Sequence, residues 1–215
     1  MIDLHTHTLL SDGELLASEL VRRAEMKGYK AIAITDHCDR SNVDFIVPSI
    51  AKVSGELNKY WKIKVIPGVE LTHVPLEEIG PLTALVRRLG ARIVLMHGET
   101  LSEPVIKGTN RRAIERGVDI LAHPGNITKE DAKLAAEKNV FLEITARKSH
   151  SAANRHVAET AREAGARLVL NTDAHSAEDL LTKETARRII AGAGLTEPDM
   201  IEMFRNSEQI VNSLR

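Results

Sequence analysis

The sequence predicts an α/β fold, an irregular barrel of seven parallel strands, from three observations. Short apolar runs alternate with helical patterns about every 30 residues, the spacing of βα units. The runs are nearly continuous in apolar residues, as parallel strands buried on both faces are. Polar residues mark the C-terminal ends of different runs: His7, His37, Glu70, His97, His123 and Asp173. The first two observations fit an open doubly wound sheet equally well. The third decides, because only a closed ring gathers all those strand ends around one site.

The elements follow in order. Residues 2–7 read as the first strand, in which His5 and His7 point to one face. The Asp12-Gly13 turn comes next. A helix over 14–27 has Leu15, Leu16, Leu20, Val21 and Ala24 at helical spacing and stops at Gly28. Residues 31–35 form a short buried strand ending in Asp36-His37, and a helix over 47–60 is entered near Pro48. The third strand starts at 64–66 and closes on Pro67-Gly68-Val69-Glu70; the helix over 81–89 ends at Gly90. Strand four, 92–96, leads into His97-Gly98-Glu99, and a short helix covers 110–116. Strand five, 118–122, ends at His123-Pro124-Gly125. Thr128 caps a helix reaching residue 138, with Asp131 in its first turn. Strand six, 140–144, contains Glu143, and a helix over 151–164 stops at Gly165. Strand seven, 167–170, runs into Asn171-Thr172-Asp173-Ala174-His175. From 178 the chain reads as helices, broken at 192–194 and again after Pro198.

Composition narrows the class. A chain of 215 residues can bury a sizeable core, and one barrel domain accounts for 1–215. Hydrophobic residues make up 43%, enough to fold without disulfides. A net charge of −1 leaves no basic footprint for non-specific nucleic-acid binding. The single cysteine, Cys38, excludes an internal disulfide and suits a reducing cytoplasm. No apolar run approaches the roughly 20 residues of a membrane span. Asp3 and His5 stand where a signal peptide would need a basic and then apolar lead-in. A soluble cytoplasmic protein with no membrane partner is expected.

The candidate site comprises His5, His7, Asp12, His37, Glu70, His97, His123, Asp173 and His175, which include six of the nine histidines. Ordinary core or surface histidines would not favour strand ends. So many ionisable groups at one barrel mouth are costly to desolvate without cations. Divalent ions are the economical explanation, and there are more ligands than one ion needs. A carboxylate such as Glu70 can bridge two ions, and such a cluster acidifies a bound water and clamps a phosphoryl group.

Asp3-Leu-His5-Thr-His7, Ser11-Asp12-Gly13, Thr35-Asp36-His37, Gly68-Val69-Glu70, His97-Gly98, Ala122-His123-Pro124 and Asn171-Thr172-Asp173-Ala174-His175 together resemble the PHP family. These are the polymerase and histidinol phosphatase domains, and the resemblance covers about residues 1–190. It implies a distorted seven-stranded TIM-like barrel holding two or three divalent ions of zinc, manganese or iron. Carried over, it implies one ion on His5, His7, Glu70 and Asp173. A second would share Glu70 and add His97 and His123, and a third would use Asp12, His37 and His175. Some members carry a histidine near the Asp12 position.

The expected function is a metal-dependent phosphomonoesterase of the histidinol-phosphatase kind, acting on a small phosphorylated metabolite. Asp173, His175 and His37 are the candidates to relay the proton to the leaving group. Arg147, Lys148 and His150 follow strand six onto the same rim, where an arginine can hold phosphate bidentately. Asn110 and Arg111 are a further anion candidate near a helix N-terminus. Glu99 reads as a partner of His97 or a surface charge, and Asp36 either orients His37 or joins the ligand shell. His73 and His156 read as structural or surface residues, and Cys38 as packing. A phosphodiesterase or nuclease on the same site is the alternative, although aromatics at 3% leave few stacking platforms for single strands. Related barrels serve as protein subunits of ribonuclease P and bind RNA without acting as the catalyst. Those generally lack the ligands and are basic, whereas this chain keeps the ligands and is slightly acidic.

Overall fold

A computed structural model describes residues 1–214, and every strand pairing in it is parallel. The strands are β1 (Ile2–Asp3), β2 (Ala31–Ile34), β3 (His37–Cys38), β4 (Lys64–Leu71), β5 (Ile93–His97), β6 (Ile120–Ala122), β7 (Phe141–Thr145) and β8 (Leu168–Asn171). The helices are α1 (Ala17–Met26), α2 (Val43–Tyr60), α3 (Leu76–Leu89), α4 (Thr109–Glu115), α5 (Lys129–Lys138), α6 (Asn154–Ala164), α7 (Lys183–Gly192) and α8 (Glu197–Ser213). The sheet order is β1-β2-β4-β5-β6-β7-β8, and β3 prolongs the line of β2 along β4. The barrel therefore has seven strand positions and is nearly closed.

Alternation along the strands explains why polar residues collect at one end. Residues two apart share a face. The inward face of β4 runs from Ile66 to Glu70, that of β5 from Ile93 and Leu95 to His97, and that of β7 from Phe141 to Glu143. The lower barrel is thus an apolar plug, which Ile210 and Val211 of α8 cover from the N-terminal end. The outward faces, such as Val69, Leu71, Val94 and Met96, pack on the helices.

Some boundaries differ from the sequence reading. α2 begins at Val43 and α3 at Leu76, so Pro48 and Pro81 lie inside helices. Burial of Val43, Ile46, Val47 and Ile50 along one face, and of Ile79, Leu82 and Val86 along another, outweighs the missing proline N–H. β4 runs through Pro67-Gly68 to Leu71. Gly68 is required there, since a Cβ would stand 2.5 Å from Ile93 Cγ2. Pro198 starts α8 rather than interrupting a helix, behind a Thr196–Asp199 capping box. Thr128 does cap α5, accepting from Asp131 N.

The seam between β1 and β8 is closed mostly by side chains. Only one backbone bridge, Thr6 to Ala174, joins the two ends there. Asn171 Oδ1 accepts from Leu4 N at 3.0 Å, and its Nδ2 donates to Glu143 Oε1 at 2.8 Å. Asp3 accepts from Thr172 N and Oγ1 and from His5 N. Asn171→Leu keeps the branched shape but strands the buried Leu4 N–H and takes one of two hydrogen bonds from Glu143 Oε1. It should cost about 1–3 kcal/mol in urea unfolding; a variant as stable as the parent would show that the seam is held by the backbone alone.

Candidate metal centre

Glu70, fully buried at the end of β4, is the common neighbour of the cluster. Its Oε2 lies 3.2 Å from His5 Nε2, 3.5 Å from His7 Nε2 and 3.0 Å from His37 Nδ1. Its Oε1 lies 3.3 Å from His123 Nε2. Asp173, just past β8, places Oδ1 3.1 Å from His7 Nε2 and 3.5 Å from His175 Nδ1. Asp12 reaches His175 Nε2 at 3.1 Å and His37 Nε2 at 3.6 Å. The His97 ring stands 4.5 Å from that of His123. All nine residues expected from the sequence therefore meet at the C-terminal mouth.

The local backbone is bent to achieve this. Ala122 already faces inward, so strict alternation would turn His123 away. His123 instead adopts φ 28°, and Asp173 adopts φ 53°, both in the left-handed region that non-glycine residues avoid. The turn carrying Asp12 folds so closely over His7 that a Cβ on Gly13 would stand 2.5 Å from the His7 carbonyl oxygen.

The hydrogen-bond pattern tests whether cations fit. His5 Nδ1 donates to Glu143 Oε1 at 2.9 Å, so in the neutral ring Nε2 is a lone pair, and it faces Glu70 Oε2. His175 Nδ1 donates to the Asp173 carbonyl at 2.9 Å, so its Nε2 faces the Asp12 carboxylate in the same way. Two acceptors that close require a positive charge between them. His5 Nε2, both His7 ring nitrogens, both Glu70 oxygens and Nδ1 of His97 and His123 are buried without a hydrogen-bond partner. Each such atom would cost about 1–3 kcal/mol if left bare. Two ligands about 2.1 Å from one cation stand roughly 3.0–3.4 Å apart, close to the separations seen here. The residues fit divalent ions.

The grouping differs in detail from the one the resemblance implies. His7 joins Asp12, His37 and His175, with ligand atoms within 4.8 Å of one another. His5, His7 and Glu70 form one set, and His5, His123 and Asp173 another. His97 and His123 converge with His150.

Charges around the ring alternate. Burial disfavours the charged form of His5, but Glu143, Glu70 and Asp173 outweigh it and hold the imidazole well above its usual range. Burial likewise opposes charge on His37, yet Glu70 and Asp12 raise it to about 10. His123 is raised against its burial by Glu70 and Asp173. Burial and the neighbouring His123 lower His97 to about 4. Burial alone would raise Glu70 and Asp173; the imidazoles around them, led by His5, hold both down.

Residues outside the nine support them. Glu143 binds His5, Asn171 and the His123 backbone N–H, and ties four strands to the site. Its signal in the sequence was a lone charge inside the apolar run Phe141–Thr145. Asp36 neither orients His37 nor faces the cluster. It accepts from Thr8 N and Oγ1 and Ser11 N and Oγ, and so holds the loop that presents Asp12.

The centre floors a cavity of about 190 Å³, whose lining includes Arg147, His150, Ser149, Thr72 and Glu103. Arg147 stands 4.0 Å from Asp173 and 3.9 Å from Asp179. Lys148 is exposed and lines an adjoining groove of about 1010 Å³, which shares Arg147 and Ser149 with the inner cavity. Arg111 points elsewhere: its guanidinium pairs with Asp131 and Glu115 on the outer surface, and it lines neither space. Asn110 bonds Glu99 N and Pro124 O, and Glu99 caps α4 through Gly108 N and Asn110 N. His156 bonds the Ile127 carbonyl. Cys38 is buried, which pushes its thiol up to about 12. Among the described residues no helix is long and apolar enough to cross a membrane.

A parallel β/α barrel with an imidazole–carboxylate centre at its C-terminal mouth defines a barrel protein able to hold metal ions. The sequence matches the PHP domain family over residues 3–122, and the chain belongs to that family. An uncharacterized protein of Methanocaldococcus jannaschii is 49% identical over 200 residues, covering 92% of each chain. A protein of Thermoanaerobacter sp. described as a probable phosphatase is 29% identical, over 92% of this chain and 88% of its own. Among solved structures, a chain in archaeal ribonuclease P with mature tRNA matches at TM-score 0.75 and 17% identity, covering 99% of this chain and 90% of its own. Histidinol phosphate phosphatase of Lactococcus lactis, complexed with zinc, L-histidinol and phosphate, matches at TM-score 0.62 and 19% identity, covering 91% and 94%. At these identities the two structures speak for the fold.

After chelation, His5 and His37 should carry protons at neutral pH that a cation must displace. Uptake of Zn²⁺ or Mn²⁺ at pH 7 should therefore release protons, and affinity should climb as pH rises towards the His37 value of about 10. Calorimetry in two buffers of different ionisation enthalpy reads the release; uptake with no proton exchanged would contradict this charge pattern.

Proposed function

We propose that the chain is a metal-dependent hydrolase of phosphate esters, specifically a phosphomonoesterase resembling histidinol-phosphate phosphatase, acting on a small phosphorylated metabolite. One observation carries it: a nest of opposed acceptor atoms lies under a cavity with a half-buried arginine at its edge. The family and the phosphatase relatives point the same way. Two or three divalent ions (zinc, manganese or iron), when bound, would polarise the phosphoryl oxygens and acidify a water.

The chain's own residues divide the remaining tasks. His5, His7, Asp12, His37, Glu70, His97, His123, Asp173 and His175 would hold the ions. Arg147 is only loosely engaged by Asp173 and Asp179, so its N–H groups remain available to a phosphoryl oxygen. Asp173 is held ionised at neutral pH and can accept a proton, and His175 and His37 adjoin it or Glu70 to pass one on. His150 lines the cavity wall beside them. The adjoining groove gives the organic part a place: Leu181, Ile189 and Ala193 offer apolar surface, and Lys148, Arg155 and Arg188 offer positive charge.

Chelated protein should turn over histidinol phosphate or a related small monoester only after Zn²⁺, Mn²⁺ or Fe²⁺ is restored. Asp173→Asn should lower kcat at least about 100-fold, and Arg147→Ala should act mainly on KM. Activity that survives both chelation and Asp173→Asn would defeat the mechanism. Faster cleavage of oligonucleotides than of any monoester would move the assignment to a phosphodiesterase. RNA binding that persists after chelation, without hydrolysis, would favour a non-catalytic barrel.

A further inference from the structure

We propose that Glu103, on the loop between β5 and α4, is an additional ligand of this metal centre, acting with His97 and His150, and that His73 positions it. The inference rests on the metal-centre reading above. The resemblance supplies Glu70, His97 and His123 for the second ion; in the structure His123 keeps Glu70 at 3.3 Å, and His97 and His123 also converge with His150. Glu103 reaches two of those three, His97 and His150, and forms a further set with His73 and His97. Its Oε2 lies 3.3 Å from His97 Nε2 and its Oε1 3.5 Å from His150 Nε2. These are the gaps that neighbouring ligands of one cation keep, roughly 3.0–3.4 Å.

Three further observations support it. First, Nδ1 of His150 is engaged by the Thr100 and Ser102 hydroxyls, each at 2.8 Å, which turns Nε2 towards the Glu103 carboxylate. His97 is 2% exposed and turns its Nε2 to the same carboxylate. Second, among the described residues no lysine or arginine pairs with Glu103; its neighbours are three imidazoles. Third, His73 Nε2 bonds Glu103 Oε2 at 3.1 Å from a left-handed backbone, φ 51°. The other described non-glycine residues in that conformation are Asn139, which caps α5, and the site residues His123 and Asp173. An exposed histidine strained this way has no packing reason for it, whereas aiming a ligand carboxylate supplies one.

Glu103 belongs to a loop, while Glu70 belongs to a strand. The ion that Glu103 touches should therefore be the most easily lost, and its ligand set suits a divalent zinc, manganese or iron ion. The test needs no substrate, so it can fail separately from the phosphatase assignment. Chelated wild type, Glu103→Gln, Glu103→Asp and His73→Ala are titrated with Zn²⁺, bound metal is counted by elemental analysis, and Co²⁺ absorption reports ligand geometry. Circular dichroism checks the fold, and Glu178→Gln in the outer groove is the control.

Glu103→Gln should weaken the last-bound equivalent about 10-fold or more and alter one Co²⁺ band, leaving the tighter equivalents unchanged. Glu103→Asp should restore part of the loss, and His73→Ala should weaken the same equivalent less. Glu103→Gln that binds as wild type does, or that weakens every equivalent alike, would overturn the role of Glu103. Wild type that takes up no divalent ion would overturn the metal centre with it.

Discussion

Two acceptor atoms cannot face one another at van der Waals contact in a dry interior unless positive charge lies between them. His5 and Glu70 meet that way in the interior, and His175 and Asp12 repeat the pairing at its solvent edge. In each case the far ring nitrogen is committed to a fixed acceptor, the Glu143 carboxylate or the Asp173 carbonyl, which dictates where the lone pair points. The demand for positive charge there, met by a proton or by a divalent ion, is thus written by the groups behind the cluster as much as by the cluster itself. Apolar packing could not satisfy it.

Those supporting groups also hold the barrel together. Asp3, Asn171 and Glu143 join β1 to β8 where backbone pairing is nearly absent, and the same side chains orient His5 and His123. Stability and site geometry share their hydrogen bonds. Burial raises the Asp3 carboxyl to about 6 despite its bonds to Thr172 and His5, so the seam retains a group that is uncomfortable when charged. A fold with a complete ladder at this position would have less reason to carry a buried acid there.

Much of this was legible in the chain. Ile66 to Glu70 and Ile93 to His97 change from apolar to ionisable at a spacing that keeps one face, so strand count and site position could be read together. What could not be read depended on tertiary context. Pro48 looked like a helix start, because proline propensity is local whereas the buried face of α2 is not. Arg111 looked like an anion contact because its helix follows a site strand, but α5 lies close enough to take its charge through Asp131. Glu103 and His73 were illegible because loop geometry, which no periodicity encodes, brings them to His97. Asp36 sat beside a ligand, yet its partners are far away in the chain.

Ile210 and Val211 of α8 stopper the lower end of the barrel, and Lys64 Nζ bonds the Val211 carbonyl across that end. The centre is a dead end, reached and left by the same door. For an ester lodged with its phosphoryl group innermost, the alcohol must depart through the groove before inorganic phosphate can follow. On the proposed phosphomonoesterase reading, release would be ordered by architecture, and accumulated phosphate would compete with incoming substrate for the innermost position.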